Sequence, residues 1–479
     1  MTVSTKAADR LDPQCRRKQT DCYRVILFNG AGTALLLQRQ NDTYALPDIH
    51  IPKFTRPAEQ ITSVVRDTWG TKTVLLFAEL FNSSQGPAYY AAMEEVQERW
   101  QAPSGMDWVP VHKAVSILLE NGDGRILKSS HERALLQCSA ESEPFSRLGW
   151  MRRLQEWVRT ILAPRGIEIL DFQQLNGGGA FSLVRFETTR KPVWFKAVGK
   201  PNLREFPNTL LLAELFPSYL PTLLATDPRV NGWLTENAGE STLSGVEDLK
   251  IFRKAVERLA HLQIASISNI SKLLQAGCRD LRCKALTSLV GPFFEAMAGL
   301  MEQQTKSTPH PLTCQELSQV AATVKQALVL MDESGVPDTL GHSDFNLGNV
   351  LLDGEQSVFT DWAGAYVGSP FPTFEYFLAH VSNLRPTLTE CEASLREAYI
   401  KPWLPLISEE NRLRAVNLSP LVAAYAYAVC GNAWRDPERP ADARGQGSLR
   451  SLTRRMKQEA DSIIRRREGT CDFVGGYSV

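Results

Sequence analysis

The sequence predicts an α+β protein of at least two domains, and three observations lead to that fold class. The chain has 479 residues, whereas a single hydrophobic core rarely grows beyond about 250–300 residues. Short apolar and β-branched runs with glycine-containing turns occupy residues 21–140 and 150–238, and long stretches with helical apolar spacing follow over 239–479. Residues 1–20 are polar and are expected to form a flexible tail.

Composition limits the classes of function. Lys and Arg number 53, as do Asp and Glu, so the formal net charge is zero. Neutrality excludes a general role in coating nucleic acid or binding an anionic membrane surface. We find no apolar run of the roughly 18–20 residues that a membrane span requires, and no secretory signal in the first thirty residues. Nine cysteines without a CxxC pair are typical of reduced thiols, so we expect a cytoplasmic protein with neither nucleic acid nor membrane as partner.

The first domain is predicted as a small α/β unit. Its expected elements are the strands Tyr23–Phe28 and Thr33–Gln38, a helix over Pro57–Trp69, a strand over Thr73–Phe77 and a helix over Ala114–Leu119. The segment Asn29–Gly32 has the glycine-rich composition of a hairpin turn. Pro57 suits the first position of a helix, which is expected to end at Gly70.

This order of elements resembles a Nudix hydrolase domain, with its two strands, a Leu46-Pro47 turn, a helix ending in glycine, and further strands. The resemblance implies that several glutamates on the helix hold a divalent metal against a diphosphate. Here Asp67 occupies one of the glutamate positions. The rest of the motif is not matched: Ile49 replaces its first glycine, Thr55 its first glutamate, Ser63 and Val64 its Arg-Glu pair, and Thr68 its last glutamate. One carboxylate does not make a metal cluster. We therefore expect a Nudix-like domain without hydrolase activity, and a different α/β domain stays open as an alternative.

The segment Gly341–Leu352, GHSDFNLGNVLL, carries the most chemistry. Phosphoryl transfer requires a carboxylate that accepts the proton of the attacking hydroxyl, together with an amide oxygen and a second carboxylate that hold Mg²⁺. Asp344 suits the first role, and Asn349 and Asp361 suit the second. His342 is expected to fix the loop by a hydrogen bond and not to shuttle protons.

The spacing H-x-D-x4-N, followed by a strand and Asp361-Trp362, resembles the aminoglycoside phosphotransferase and choline kinase family, relatives of protein kinases. Ser343 stands where the family has Gly, and Leu347 stands where it has Pro. The resemblance covers about residues 150–435. It implies a two-lobed, protein-kinase-like fold with a small β-rich lobe and a large helical lobe. It also implies ATP or another nucleoside triphosphate, Mg²⁺, and a small acceptor with a hydroxyl group.

A kinase also needs a lysine on the α- and β-phosphates and a glutamate that holds this lysine. Lys196 lies among large apolar residues in a predicted strand, where an ammonium group is costly without a partner. A solvated strand face is the alternative. The resemblance places the glutamate at Glu205, and Glu214 competes with it. The turn between the first two strands of this lobe, which is either a phosphate loop or a plain flexible turn, contains Gly177, Gly178 and Gly179.

The resemblance also implies a hinge whose backbone groups bind adenine, for which the candidates are Leu234, Thr235, Glu236 and Asn237. Beyond it, residues 246–266 and 286–301 are predicted helices, the second with a kink or a restart at Gly291-Pro292. Residues 421–433 are predicted as a buried helix. The basic segment 451–467 is interleaved with carboxylates, which favours a solvated terminal helix over a phosphate-binding patch.

The sequence thus predicts an ATP- and Mg²⁺-dependent phosphotransferase that acts on a small hydroxyl compound. The side chains expected to act on the nucleotide and the acceptor are Asp344 and Lys196, with Asn349 and Asp361 as metal ligands. Three alternatives stay open: a pseudokinase that binds nucleotide as a scaffold, an active Nudix hydrolase with a kinase-like appendage, and a kinase that phosphorylates proteins. The acceptor, the choice between ATP and GTP, and the oligomeric state are not predicted.

Overall fold

The computed structural model describes residues 20–471, apart from residues 42, 54, 84–85, 98–99, 120–121, 136–143, 240, 355, 385–390, 432–433 and 436–442. The predicted tail over residues 1–20 lies almost wholly outside the described residues, as does most of the linker after residue 138. The chain forms two compact units. The first comprises the chain up to Phe206 together with Thr222–Asn237, and the second comprises Pro207–Pro221 and the chain from Ala238 onward.

The first unit begins with a seven-stranded sheet. Its strands are β1 Thr20–Phe28, β2 Ala34–Gln40, β3 Thr43–Ala45, β4 Asp48–Pro52, β5 Thr73–Ser83, β6 Gly86–Glu95 and β7 Met106–Pro110. The helices of this part are α1 Pro57–Trp69, α2 Val111–Ile117 and α3 Asp123–Leu135. Strand β1 pairs parallel with β6 and antiparallel with β2 and β4, and β5 lies at one edge.

Helix α1 has the bounds that its sequence predicts. Pro57 is its first residue, where a missing N–H costs nothing. Gly70 ends it in the left-handed conformation, φ 70°, and donates its N–H to the Arg66 carbonyl oxygen at 2.9 Å. Ile61 and Val65 are fully buried beneath the helix. The predicted two strands, helix and following strand are each confirmed, and two further short strands that were not predicted, β3 and β4, lie between the second strand and the helix.

A second sheet of five antiparallel strands completes the first unit, in the order β11-β12-β10-β9-β8. Helix α4 precedes it, and the elements are α4 Trp150–Leu162, β8 Ile169–Asn176, β9 Phe181–Thr188, β10 Val193–Val198, β11 Leu223–Asp227 and β12 Gly232–Glu236. One hydrophobic core contains Phe28 of the first sheet, Leu154 of α4 and Phe186 of the second sheet. The two sheets of this unit therefore share a core through α4.

A buried carboxylate lies near the start of α4. Glu94 of β6 is 1% exposed and accepts a hydrogen bond from the Gly149 backbone N–H at 2.8 Å. Burial raises the pKa of Glu94 to about 7, although the hydrogen bond from Gly149 and the charges of Arg152 and Arg153 act in the opposite direction.

Helices dominate the second unit. They are the main part of α5 Glu205–Leu215, then α6 Leu249–Ser266, α7 Ile270–Ala276, α8 Cys283–Glu302, α9 Cys314–Glu333, α10 Phe371–Leu384, α11 Glu392–Ile400, α12 Glu409–Cys430 and α13 Ala443–Cys471. Two three-stranded sheets lie among them, formed by β13 Ser241–Thr242, β14 Arg279–Leu281, β15 Thr339–His342, β16 Val350–Asp353, β17 Gln356–Phe359 and β18 Ala365–Gly368.

Two helices of this unit differ from the sequence prediction. Of the two predicted outcomes at Gly291-Pro292, a kink or a restart, the restart is wrong, because helix α8 continues through Pro292. Its face, with Val290 and Phe293, is buried, and that burial outweighs the hydrogen bond that proline removes. Helix α12 is longer than predicted. Among the described helices, it alone is long and apolar enough to cross a membrane, and 67% of its most apolar window is buried inside the protein, which is typical of a core helix.

Candidate active site

The segment between β15 and β16 is organised around the imidazole of His342. This side chain is 1% exposed. Its Nδ1 accepts the backbone N–H of Asp344 at 3.2 Å, so Nε2 carries the proton and donates to the Thr360 carbonyl oxygen at 2.9 Å. His342 therefore connects the segment that carries Asp344 to the segment that leads to Asp361. The prediction that His342 fixes the loop by a hydrogen bond is confirmed.

Asp344 is half-buried, and two donors orient its carboxylate. The Tyr376 hydroxyl donates to Oδ1 at 2.8 Å, and the Asn346 amide donates to the same oxygen at 3.0 Å. Within the described part of the chain, Oδ2 receives no hydrogen bond. A carboxylate held by one oxygen, with the other available, has the arrangement that a proton acceptor requires.

Asn349 is oriented by the same loop. Its side-chain N–H donates to the Asp344 carbonyl oxygen at 2.8 Å, which leaves the amide oxygen Oδ1 for another partner. Its own carbonyl oxygen accepts the Thr360 backbone N–H at 3.0 Å and the Thr360 hydroxyl at 3.3 Å. Because Val350 pairs with Phe359 in the β16–β17 hairpin, Asn349 and Asp361 both lie at the end of that hairpin.

Asp361 has an unusual backbone conformation. Its φ is 66° and its ψ is 58°, in the left-handed region that few residues other than glycine adopt. The neighbouring contacts hold this turn in place, since Ser343 donates its N–H to the Gly364 carbonyl oxygen at 3.1 Å and the Trp362 indole donates to the Phe359 carbonyl oxygen at 3.2 Å. Strained backbone of this kind is concentrated at functional sites.

Helix α10 contributes residues that sequence reasoning missed. Thr373 accepts the His342 backbone N–H on its hydroxyl oxygen at 2.9 Å, and Tyr376 donates to Asp344. Burial raises the pKa of Tyr376, and the nearby Tyr427 and Asp344 raise it further, so the hydroxyl stays protonated and acts as a donor. The signal that could have found them is the spacing of Thr373, Tyr376 and His380, which places these three side chains on one face of the helix.

In the first unit, Lys196 of β10 is paired with Glu205, the first residue of α5. The ammonium Nζ lies 2.5 Å from Oε1 of Glu205. The Lys196 side chain is 15% exposed and that of Glu205 is 1% exposed. The structure thus pairs the lysine with the favoured glutamate. The competing Glu214 is exposed on the same helix.

The glycine turn joins β8 to β9 close to Lys196. Phe181, directly after the turn, has its ring centroid 5.3 Å from the Lys196 Nζ. The Ser182 hydroxyl donates to the Asn176 carbonyl oxygen at 3.3 Å and thereby closes the turn. Gly177, Gly178 and Gly179 are absent from the glycines with positive φ, so backbone conformation is not the reason for glycine here.

The predicted hinge residues form the end of β12. Leu234 is buried and pairs with Phe195 on one side and Ala225 on the other, and Thr235 likewise lies between two strands. Glu236 donates its N–H to the Thr222 carbonyl oxygen at 2.9 Å. Asn237 follows the strand, and its side-chain oxygen accepts the Trp194 indole N–H at 2.9 Å.

The structure therefore brings Lys196 and Glu205 together in one unit, and Asp344, Asn349 and Asp361 together in the other. The convergence of these two groups stays a prediction. Across the part of the chain that the structure describes, no group of three or more His, Cys, Asp and Glu side chains is arranged to hold a metal ion. One amide oxygen and one carboxylate do suit Mg²⁺, which usually takes only one or two protein ligands beside phosphate and water.

No protein-family model matches the chain, and no curated protein matches it. Among solved structures, the chain is similar to choline kinase from Cryptosporidium parvum, with 12% identity over 66% of this chain and 97% of that one, at a TM-score of 0.46. It is also similar to macrolide 2'-phosphotransferase from Brachybacterium faecium, with 13% identity over 63% and 98% and a TM-score of 0.40. A spectinomycin phosphotransferase in complex with ADP and spectinomycin shows 13% identity over 64% and 98%, with a TM-score of 0.39.

Proposed function

We propose that this protein is a two-lobed, protein-kinase-like phosphotransferase that moves a phosphoryl group from a nucleoside triphosphate to a hydroxyl of a small molecule. One observation carries the proposal. The Asn349 side chain donates to the Asp344 backbone at 2.8 Å, and Thr360, the neighbour of Asp361, donates to the Asn349 carbonyl oxygen at 3.0 Å. A proton acceptor and two oxygen ligands are thereby held by one hydrogen-bond network, as positioning and charge neutralisation of phosphoryl transfer require.

Each residue has a defined part in this proposal. Asp344 orients the acceptor hydroxyl and takes its proton, most directly on Oδ2. Lys196, held by Glu205, pairs with the α- and β-phosphates, and the backbone of the Gly177–Gly179 turn faces the phosphates. Backbone groups near the end of β12, from Leu234 to Asn237, bind the base.

Asn349 and Asp361 would hold Mg²⁺. The Asn349 side-chain N–H donates to the Asp344 carbonyl oxygen, which leaves the amide oxygen for the ion, and Asp361 provides a carboxylate. When bound, the ion would neutralise phosphate charge. The strained backbone of Asp361 would then serve to keep its carboxylate in a fixed place.

We further propose a cytoplasmic protein whose partners are a nucleotide and a small hydroxyl compound, without nucleic acid. The motif resemblance supports the substrate class. The six cysteines whose side chains the structure describes are free thiols, which supports a reducing compartment. The first sheet with α1 is proposed as a Nudix-like domain without hydrolase activity. Metal-dependent hydrolysis of nucleoside diphosphate derivatives that survives Asp344→Ala and is lost in Asp67→Ala would contradict this part.

The test is ADP release from MgATP with a panel of sugars and amino alcohols, combined with mass spectrometry of the products. Asp344→Asn should abolish turnover and leave the Kd of MgATP within about threefold, because the carboxylate acts on the acceptor and not on the nucleotide. Asp353→Asn, an exposed carboxylate nine residues further on, is the matched control. Tight MgATP binding without turnover on any acceptor would favour a nucleotide-binding scaffold, and phosphate on proteins alone would favour a protein kinase.

A further inference from the structure

The side chain of Gln174 forms an unusual connection between the two sheets of the first unit. Its Oε1 accepts the Leu75 backbone N–H at 2.7 Å, and its Nε2 donates to the Leu75 carbonyl oxygen at 2.9 Å. Gln174 is 2% exposed. The carboxamide thus imitates one residue of a paired β-strand, and both of its polar atoms are satisfied inside the protein.

The strands on either side explain why this contact is possible. Leu75 lies on β5, at the edge of the seven-stranded sheet, and Gln174 lies on β8, at the edge of the five-stranded sheet. The backbone groups of an edge strand need a partner when they are buried. The pairing of β5 with β6 shifts register after Leu75, and the pairing of β8 with β9 shifts after Gln174. The two irregular positions therefore meet.

Gln174 also lies three residues before Gly177, the first glycine of the turn assigned to the phosphates. A Cβ atom at position 177 would overlap the Gln174 carboxamide and would lie 3.1 Å from the Leu75 carbonyl oxygen. A Cβ atom at Gly178 would meet nothing within 4 Å. Because Gly177 does not have a positive φ, its lack of a side chain is explained by two close neighbours. One is the Gln174 carboxamide, and the other is the Leu75 carbonyl oxygen of the N-terminal domain, by which we mean the first sheet with α1, α2 and α3.

Further contacts support the same attachment around β8. Lys72, directly before β5, is paired with Asp171, and its Nζ lies 3.9 Å from the centroid of the Phe172 ring. Gln173 donates to Glu59 of α1 at 3.4 Å. These contacts attach β8 to the N-terminal domain. Only the Gln174 side chain, among the residues named here, also lies against the glycine turn.

We propose that the N-terminal domain contributes to nucleotide binding. In this proposal Gln174 is a positioning residue that holds the Gly177–Gly179 turn in the conformation that binds phosphates. The inference rests on the proposed function and adds a role for the first domain. The Leu75 backbone fixes the position of the Gln174 carboxamide. Gln174 in turn fixes the position of the glycine turn.

The test compares Gln174→Met with Gln173→Met by isothermal titration with MgATP and, separately, with adenosine. Gln174→Met keeps the length of the side chain and removes both hydrogen bonds. We expect it to weaken MgATP binding about fivefold or more and to leave adenosine binding within about twofold, because the turn contacts phosphate only. Gln173→Met, which removes the contact of β8 with Glu59 of α1 away from the turn, should change neither affinity by more than about twofold.

The phosphate dependence separates positioning from a general structural role. Equal weakening of MgATP and adenosine by Gln174→Met, or unchanged binding of both, would overturn the inference while the proposed function stands. A wild-type protein that binds no MgATP would overturn both. If Gln174→Met does not fold, Gln174→Glu keeps the size and one acceptor and, when ionised, removes the donor to Leu75. Because burial favours the neutral carboxyl, this variant is titrated at raised pH, and the same selective loss of MgATP affinity should appear as the carboxyl ionises.

Discussion

Replacing Lys196 by Met should destabilise the first unit strongly, because the substitution removes the partner of a buried carboxylate. The Glu205 side chain is 1% exposed and lies 2.5 Å from the Lys196 ammonium. The ammonium also lies 5.3 Å and 5.9 Å from the ring centroids of Phe181 and Trp233. Both charged groups have further contacts, so a single substitution alone does not isolate this pair.

The expected size follows from the burial of the pair. Removing one partner of a buried ion pair costs about 3–5 kcal/mol, and each kcal/mol lowers Tm by about 2–4 °C in a unit of roughly 150–250 residues. Lys196→Met should therefore lower the Tm of the first unit by about 6–20 °C. Lys191→Met, an exposed lysine in the turn before β10, is the matched control and should change Tm by less than about 2 °C.

The assay is a double-mutant cycle of Lys196→Met and Glu205→Gln, followed by calorimetry without nucleotide. The double variant should be less destabilised than the sum of the single variants by about 1.5 kcal/mol or more. Additivity within about 0.5 kcal/mol would refute the pairing of these two side chains. If the Tm of Lys196→Met matches that of the Lys191→Met control, the claim that Lys196 compensates a buried carboxylate is refuted.

Three other predictions concern individual positions. Tyr376→Phe removes one of two donors to Asp344 Oδ1 and should lower turnover about tenfold with little change in the KM of MgATP; an unchanged kcat would contradict the orienting role. Glu94→Gln replaces a carboxyl group whose pKa is about 7 in the folded protein, compared with 4.5 for an ordinary glutamate. The stability that this group contributes is complete below pH 4.5 and is lost as pH rises through 7, so the variant should exceed wild type by up to about 3 kcal/mol at pH 8 and match it near pH 4.5 in thermal unfolding scans. Gly341→Ala would place a Cβ against the ring of Tyr366, which is 3% exposed, and should cost about 1–3 kcal/mol, measured by denaturant unfolding.

The sequence predicted those elements whose ends or partners are determined by residues close together in the chain. Helix α1 was predictable because Pro57 and Gly70 mark its two ends. The pairing of Lys196 with Glu205 followed from the cost of a lysine among apolar neighbours together with the family resemblance. The path of α8 through Pro292 was not predictable, because the burial that outweighs the lost hydrogen bond involves residues far along the chain, such as Tyr425, whose ring lies against that of Phe293.

The contacts that orient the candidate site were harder to predict for the same reason. Tyr376 lies 32 residues after Asp344, and no local spacing relates them. Gln174 and Leu75 are 99 residues apart. Such contacts arise only after two separate elements have packed. A single sequence therefore shows which polar residues are present but does not show which of them contact each other.

The core that the two sheets of the first unit share has a consequence for any attempt to divide this protein. A fragment that starts at residue 150 would retain the apolar face of α4, including Leu154 and Val158, but would lose Phe28 and the other residues of the first sheet that cover it. It would also expose the edge of β8. Such a fragment should be insoluble or prone to self-association, so the part of the chain before residue 150 and the part after it are best expressed and engineered as a single piece.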